Sequence, residues 1–294
     1  MIDVLIPTKN CAEDLDNCLA SLALQTIPVN VIIIDAHSTD GTQKTALTHC
    51  ATLLDEPPSK VKGSRRAVAL NEGLHHCRNR YVATLDADTL VPIDWAETLL
   101  NYMETHPNVD AATTGNNYAP QGHREKAMLL ISKLLSNHAR EYSQETIIPS
   151  VPGYNAIYRR TPELSYREDL GGCEDYELNQ RLGPMMGISG APVQHIERKN
   201  MAAYAKQVYG YGWSRGRYEQ LTRDANPKYL LPALLCLAFC TVFPIWAMML
   251  AAVPVALMTL DQDISKNGTI LSYIYVPYVF MLNWAVGYIA GWLQ

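Results

Sequence analysis

The stretch VNVIIIDAHSTDGT, residues 29–42, is a β-branched apolar run that ends in an acid and a group of turn formers. A run without polar alternation must be covered on both faces, as strands of parallel sheets are, and the ligand-binding loops of such sheets lie at the strands' carboxyl ends. Before it, IDVLIPTKN (2–10) is a shorter apolar run, and CAEDLDNCLASLALQ (11–25) carries Leu15, Cys18, Leu19, Leu22 and Ala23 close to helical spacing. The order is strand, helix, strand. After it, a helix is predicted over Ser64 to Cys77, and YVATLDADTL (81–90) is a further strand that breaks into Asp86-Ala87-Asp88. The first 120 residues therefore read as repeated β-α units, with acids gathered at the strand ends.

The composition bounds what such a chain can do. Of 294 residues 48% are apolar, enough for a sizeable core, and 24 basic against 29 acidic residues give a net charge of −5. That balance gives no support to nucleic-acid binding through a basic surface. Seven scattered cysteines, without a C-x-x-C pair, read as thiols in a reducing compartment. The N-terminus has no basic segment leading into a long apolar one, so it does not read as a secretory signal.

Charge is unevenly spread. From Tyr229 to Gln294 the charged side chains are Asp261, Asp263 and Lys266 alone, and residues 229–260 and 270–294 carry none. A bilayer core needs roughly 20 apolar residues, so both stretches are long enough to cross one, and Pro232, Pro244 and Pro254 could split the first into two shorter helices. Arg215, Arg217, Arg223 and Lys228 precede the first stretch, which by the positive-inside rule leaves the N-terminal part in the cytoplasm. The expected organisation is a cytoplasmic domain over 1–223 and a multi-pass anchor of two or three transmembrane helices over 224–294. A helix is also expected over Arg124–Tyr142, either facing a core or lying on a membrane surface.

Several acids have both a chemical and a structural reading. Asp86 and Asp88, at a strand-to-loop junction, can both turn toward a magnesium or manganese ion that takes phosphates as further ligands. The alternative is that Asp88 caps a helix starting near Thr89 to Trp95. Asp35 and Asp40 could accept hydrogen bonds from a base or ribose, or Asp40-Gly41 could simply build a turn. Glu174 and Asp175, in GGCEDYELNQRLG, could supply a general base or merely complement a helix dipole. His195 could be a nitrogen ligand to the ion or an ordinary hydrogen-bonded histidine. Arg215 and Arg217 could grip a diphosphate or mark the cytoplasmic side.

In order and approximate spacing, VLIPTKN, IIIDAHSTDGT, GSRRAVALNEG, YVATLDADT, PGYNAIYRR, CEDYELNQRL and HIERKNMAAYAKQVYGYGWSRGRY resemble the family 2 glycosyltransferases. The resemblance covers about the first 220 residues, and the tail is similar to the membrane-anchored subgroup that includes the succinoglycan-type glucosyltransferases. It implies an α/β GT-A fold, a Rossmann-like nucleotide-diphospho-sugar transferase domain, followed by C-terminal transmembrane helices. It implies inverting transfer from a UDP- or GDP-sugar to a lipid-linked polyprenyl glycan, with transfer directly onto a polyprenyl phosphate as the alternative.

By the same resemblance Asp86 and Asp88 bring Mg2+ or Mn2+ to the diphosphate. Asp175 is the catalytic base and Glu174 positions the acceptor. Pro7, Thr8 and Asp35 line the nucleotide pocket, and Arg65 approaches the diphosphate. The Q-x-x-R-W signature of processive synthases is missing after Glu174-Asp175, which favours addition of a single sugar. A non-catalytic scaffold would have no reason to keep both acid pairs.

Overall fold

The computed structural model describes residues 1–61, 63–117, 141–195, 201–223, 231, 233–234 and 282–293. Residues 124–140 of the predicted helix over 124–142 and most of the two charge-free stretches lie outside these residues. Among the described residues no helix is long and apolar enough to cross a membrane. The chain divides into two units.

The first unit comprises residues 1–119, 136–169 and 174–196. It starts with β1 (Ile2–Thr8), α1 (Ala12–Ala23), β2 (Val29–Asp35), α2 (Thr42–Thr48), β3 (Thr52–Asp55), α3 (Arg65–His76) and β4 (Tyr81–Leu85), of which β1, α1, β2, α3 and β4 are the elements expected from the sequence. There follow β5 (Thr89–Leu90), α4 (Trp95–Thr105), β6 (Ala111–Thr113), β7 (Thr146–Ile148), β8 (Asn155–Arg159), α5 (Glu174–Arg181), β9 (Met185–Gly187) and β10 (Gln194–His195). Eight strands form one sheet in the order β3-β2-β1-β4-β8-β6-β9-β7. The first four are parallel, and β8 joins β4 antiparallel, so the sheet is mixed. The order in which strands are added switches sides between β1 and β4, which is where a crevice opens outside the carboxyl ends of such strands.

The uninterrupted apolar runs are explained by two cores, one on each face. Val4 and Ile6 of β1, Ile33 of β2, and Ala83 and Leu85 of β4 pack with α1 and α4, against Leu15, Leu19, Trp95 and Leu99. Their neighbours in the chain, Leu5, Ile32, Ile34 and Val82, pack on the opposite side with Ala67 and Leu70 of α3. Side chains alternate by face along a strand, so each run feeds both cores. Gly73 lets α3 lie close to the sheet, since a Cβ there would come within 2.8 Å of Leu5 Cδ2 and 2.9 Å of Ile34 Cδ1.

Within the second unit, α6 (Met201–Thr222) packs against a helical stretch at 282–292. Two pairs of glycines four residues apart meet there: a Cβ at Gly212 or Gly216 would run into the carbonyls of Trp284 or Tyr288, and one at Gly287 or Gly291 into those of Tyr209 or Trp213. Glycine at these places lets the two main chains touch. Beside this contact Arg215 Nε donates to Glu219 Oε1 at 2.9 Å, and the Tyr288 hydroxyl donates to the same carboxylate.

Candidate active site

The chemistry gathers at the carboxyl end of β4. That strand is buried along its whole length and ends in a turn closed by Thr89 N–H donating to Asp86 O at 3.1 Å. Ala87 faces the core, while the acids on either side of it remain partly accessible. The alternative in which Asp88 caps a helix fails, because Thr89–Leu90 is strand β5 and α4 begins only at Trp95. β5 pairs antiparallel with β10, His195 opposite Thr89. This two-stranded ribbon brings His195 Nε2 to 3.3 Å from Asp88 Oδ1 and 3.9 Å from Asp86 Oδ2. One ligand atom each from Asp86, Asp88 and His195 lie within 4.8 Å of one another. The imidazole is steadied by the Tyr154 ring, stacked on it at 4.2 Å and 14°.

Two carboxylates and an imidazole are a donor set suited to Mn2+ or Mg2+. The local electrostatics fit as well: Asp86 Oδ1 is buried, and the oxygen already attracts the Arg66 guanidinium, 2.7 Å away. Such an oxygen gains more from a cation than from water it cannot reach.

The N-terminus of α5 adds the second acid pair. Glu174 is nearly buried, and its Oε1 lies 3.2 Å from Arg66 Nε. Burial, reinforced by the charge of Asp175 and only partly offset by Arg66, pushes its pKa up to about 7. Asp175 Oδ1 accepts the N–H of Tyr176 at 2.7 Å. Between the pairs stands Arg66, which also donates from Nη2 to Gly153 O at 2.9 Å. Burial opposes its charge, but Asp86 and Glu174 outweigh that and hold it protonated.

Of the residues expected to bind the donor, Thr8 and Asp35 meet at adjacent strand ends. Thr8 Oγ1 donates to Asp35 Oδ1 at 3.3 Å, and Asp35 also accepts from Ser38 N, Ser38 Oγ and Gln43 Nε2 at 2.9, 2.5 and 2.7 Å. Burial would raise its pKa, yet these donors pull it below the ordinary value. Asp35 thus shapes the loop that follows it. Pro7, one residue before Thr8, is half-buried. Asp40 accepts from Thr42 N at 2.9 Å and Ala12 N at 3.1 Å, which ties together the starts of α2 and α1.

Arg65, expected at the diphosphate, pairs instead with Glu56 at 2.5 Å, and its neighbour Arg66 is the cation among the acids. The sequence reading passed over Arg66. A signal existed: Arg66 is four residues before Leu70 and seven before Gly73, the stripe of α3 that meets the sheet. Arg215 and Arg217 belong to the second unit, where Arg215 pairs with Glu219 and Arg217 Nη1 donates to Gln220 Oε1 at 2.9 Å within the same helix.

Comparison with known proteins agrees with this geometry. Residues 3–164 match the family described as glycosyl transferase family 2. A 4,4'-diaponeurosporenoate glycosyltransferase from Staphylococcus aureus is 34% identical over 103 residues, 34% of this chain and 27% of that protein. The chain thus spans about a quarter of the length of that relative.

Among solved structures, a mannosyltransferase from Pyrobaculum calidifontis in complex with GDP-Man and Mn2+ matches with a TM-score of 0.60 and 20% identity, covering 98% of this chain and 86% of the other. A glucosyl-3-phosphoglycerate synthase from Mycobacterium tuberculosis, in complex with Mn2+, UDP and glucosyl-3-phosphoglycerate, matches with a TM-score of 0.52 and 17% identity, over 74% of this chain and 79% of that one. At such identities the likeness is one of fold.

Proposed function

The chain belongs to glycosyl transferase family 2 and is a glycosyltransferase; from that premise we propose that it transfers one sugar, with inversion, from a UDP- or GDP-sugar to a polyprenyl-linked glycan in polysaccharide or glycan assembly. The observation that carries this reading is the convergence of Asp86, Asp88 and His195 at the carboxyl end of β4, directly beside Glu174 and Asp175 through Arg66. Asp86, Asp88 and His195 would hold Mn2+ or Mg2+. Bound there, the ion would supply Lewis-acid stabilisation of the charge growing on the leaving diphosphate.

The chain's own residues account for the rest. Asp175 is the acid of its pair without an ion pair to Arg66 among the described residues, and it would take the proton from the attacking hydroxyl. Glu174, held by Arg66, would position the acceptor. Pro7, Thr8 and the loop braced by Asp35 would form the floor for the base and ribose. Arg65 would reach the diphosphate only by leaving Glu56. The charge-free stretches 229–260 and 270–294 support a multi-pass membrane anchor, with the catalytic residues on the cytoplasmic face and a lipid-borne acceptor.

The test is diphosphate release by the purified full chain from a panel of UDP- and GDP-sugars, with Mn2+, with and without lipid extract. One donor should be consumed in the presence of lipid, EDTA should stop the reaction, and Asp175→Asn should slow it by about 100-fold or more. Near-normal turnover in Asp175→Asn would mean that the acceptor is already an anion, a polyprenyl phosphate. Failure of every donor with Mn2+ and lipid would end the reading.

A further inference from the structure

Four carboxylates, Asp86, Asp88, Glu174 and Asp175, crowd one edge of the sheet, and among the described residues one guanidinium, that of Arg66, lies among them. Arg66 faces Asp86 Oδ1 with Nη1 at 2.7 Å and Glu174 Oε1 with Nε at 3.2 Å, and its Nη2 is pinned on Gly153 O at 2.9 Å. The main chain is built around it: a Cβ at Gly153 would stand 3.1 Å from Arg66 Nη2 and 3.4 Å from Asp175 Oδ2. The next residue, Tyr154, carries the stacked His195, and Asn155 is locked in the core by Trp95, Thr114 and Gly115 O. Three consecutive residues therefore fix the arginine, the imidazole and the sheet relative to one another.

We propose that Arg66 is a positioning residue that divides the four acids between two tasks: it claims Glu174 outright and shares Asp86 with the divalent ion. Asp175 is thereby left to the acceptor. This rests on the metal-dependent reading given above. A fixed cation beside Asp86 repels a second cation and competes for the same carboxylate, so Arg66 should weaken metal binding while it improves turnover. A residue that only held the fold together would do the reverse, since its loss would loosen the site.

The experiment is calorimetric titration of the full chain with Mn2+ alone, in the absence of any nucleotide sugar, for wild type, Arg66→Gln, Arg66→Lys, Glu174→Gln and Asp88→Asn. Arg66→Gln should bind Mn2+ about tenfold more tightly, although its turnover falls. Arg66→Lys keeps the charge and should bind within about twofold of wild type. Glu174→Gln leaves Arg66 to Asp86 alone and should bind about tenfold more weakly. Unchanged or weaker binding by Arg66→Gln overturns the proposal. If that variant does not fold, Glu174→Gln decides, and wild-type affinity there overturns it equally. Failure of the underlying reading looks different: wild type takes up no Mn2+, or Asp88→Asn binds as well as wild type, and the proposal falls with it.

Discussion

Asp3 and Glu174 are both almost fully buried carboxylates of the same unit, at opposite edges of the sheet, and their surroundings could hardly differ more. Asp3 accepts four hydrogen bonds, from Asn30 Nδ2 at 2.6 Å, Arg78 N at 2.8 Å, Asn79 N at 2.7 Å and Asn79 Nδ2 at 2.8 Å. Burial alone would raise its pKa, but these donors bring it below the ordinary value. Glu174 meets another acid and a shared arginine, and its pKa rises to about 7. One carboxylate is saturated with neutral donors and braces the chain. The other sits in an excess of its own charge, an arrangement that stability does not favour and that binding a cationic or protic partner would explain. Asp35 has the first kind of surroundings although it stands at the functional edge.

The contrast can be broken most easily at Asp3. Asp3→Ala strands four donors and should cost about 3 kcal/mol of stability in denaturant titration. Turnover of the folded enzyme should stay at the wild-type level. A variant as stable as wild type would show that saturation by donors does not mark a structural acid.

A smaller effect is expected from pH. Glu174 titrates near 4.5 when unfolded and near 7 when folded, so the folded state holds the extra proton between those values. Stability should therefore decline as pH rises from about 4.5 to about 7. Glu174→Gln should flatten that slope in melts taken across the range, and a slope that survives the substitution would assign it elsewhere. Least is expected from Asn30→Ala, which removes one of Asp3's four donors and should cost about 1 kcal/mol. A loss as large as that of Asp3→Ala would mean the four donors act as one unit.

The same contrast explains what could be read from the chain. The alternating two-core strands are local patterns, so β1, α1, β2, α3 and β4 were legible, and so was the break at Asp86 and Asp88. The pairing of β5 with β10 was not, because two-residue strands have no period and their partners are more than 100 residues apart. His195 was accordingly left open between a nitrogen ligand to the ion and an ordinary hydrogen-bonded histidine. Arg66 was passed over for another reason: Arg65 and Arg66 differ by one step on a helix, about 100° of rotation, and composition is blind to that angle. Insertion of β8 between β4 and β6 is likewise a non-local event with no mark in either strand.

The glycines of α6 and 282–292 have a practical corollary. Side chains can shift to heal a missing neighbour, but bare main chain cannot. A shortened protein ending anywhere between 223 and 282 would lose the main chain that meets Gly212 and Gly216 and bare that seam, and would be prone to stick to whatever fits. Residues 201–222 and 282–292 therefore travel as a pair or not at all.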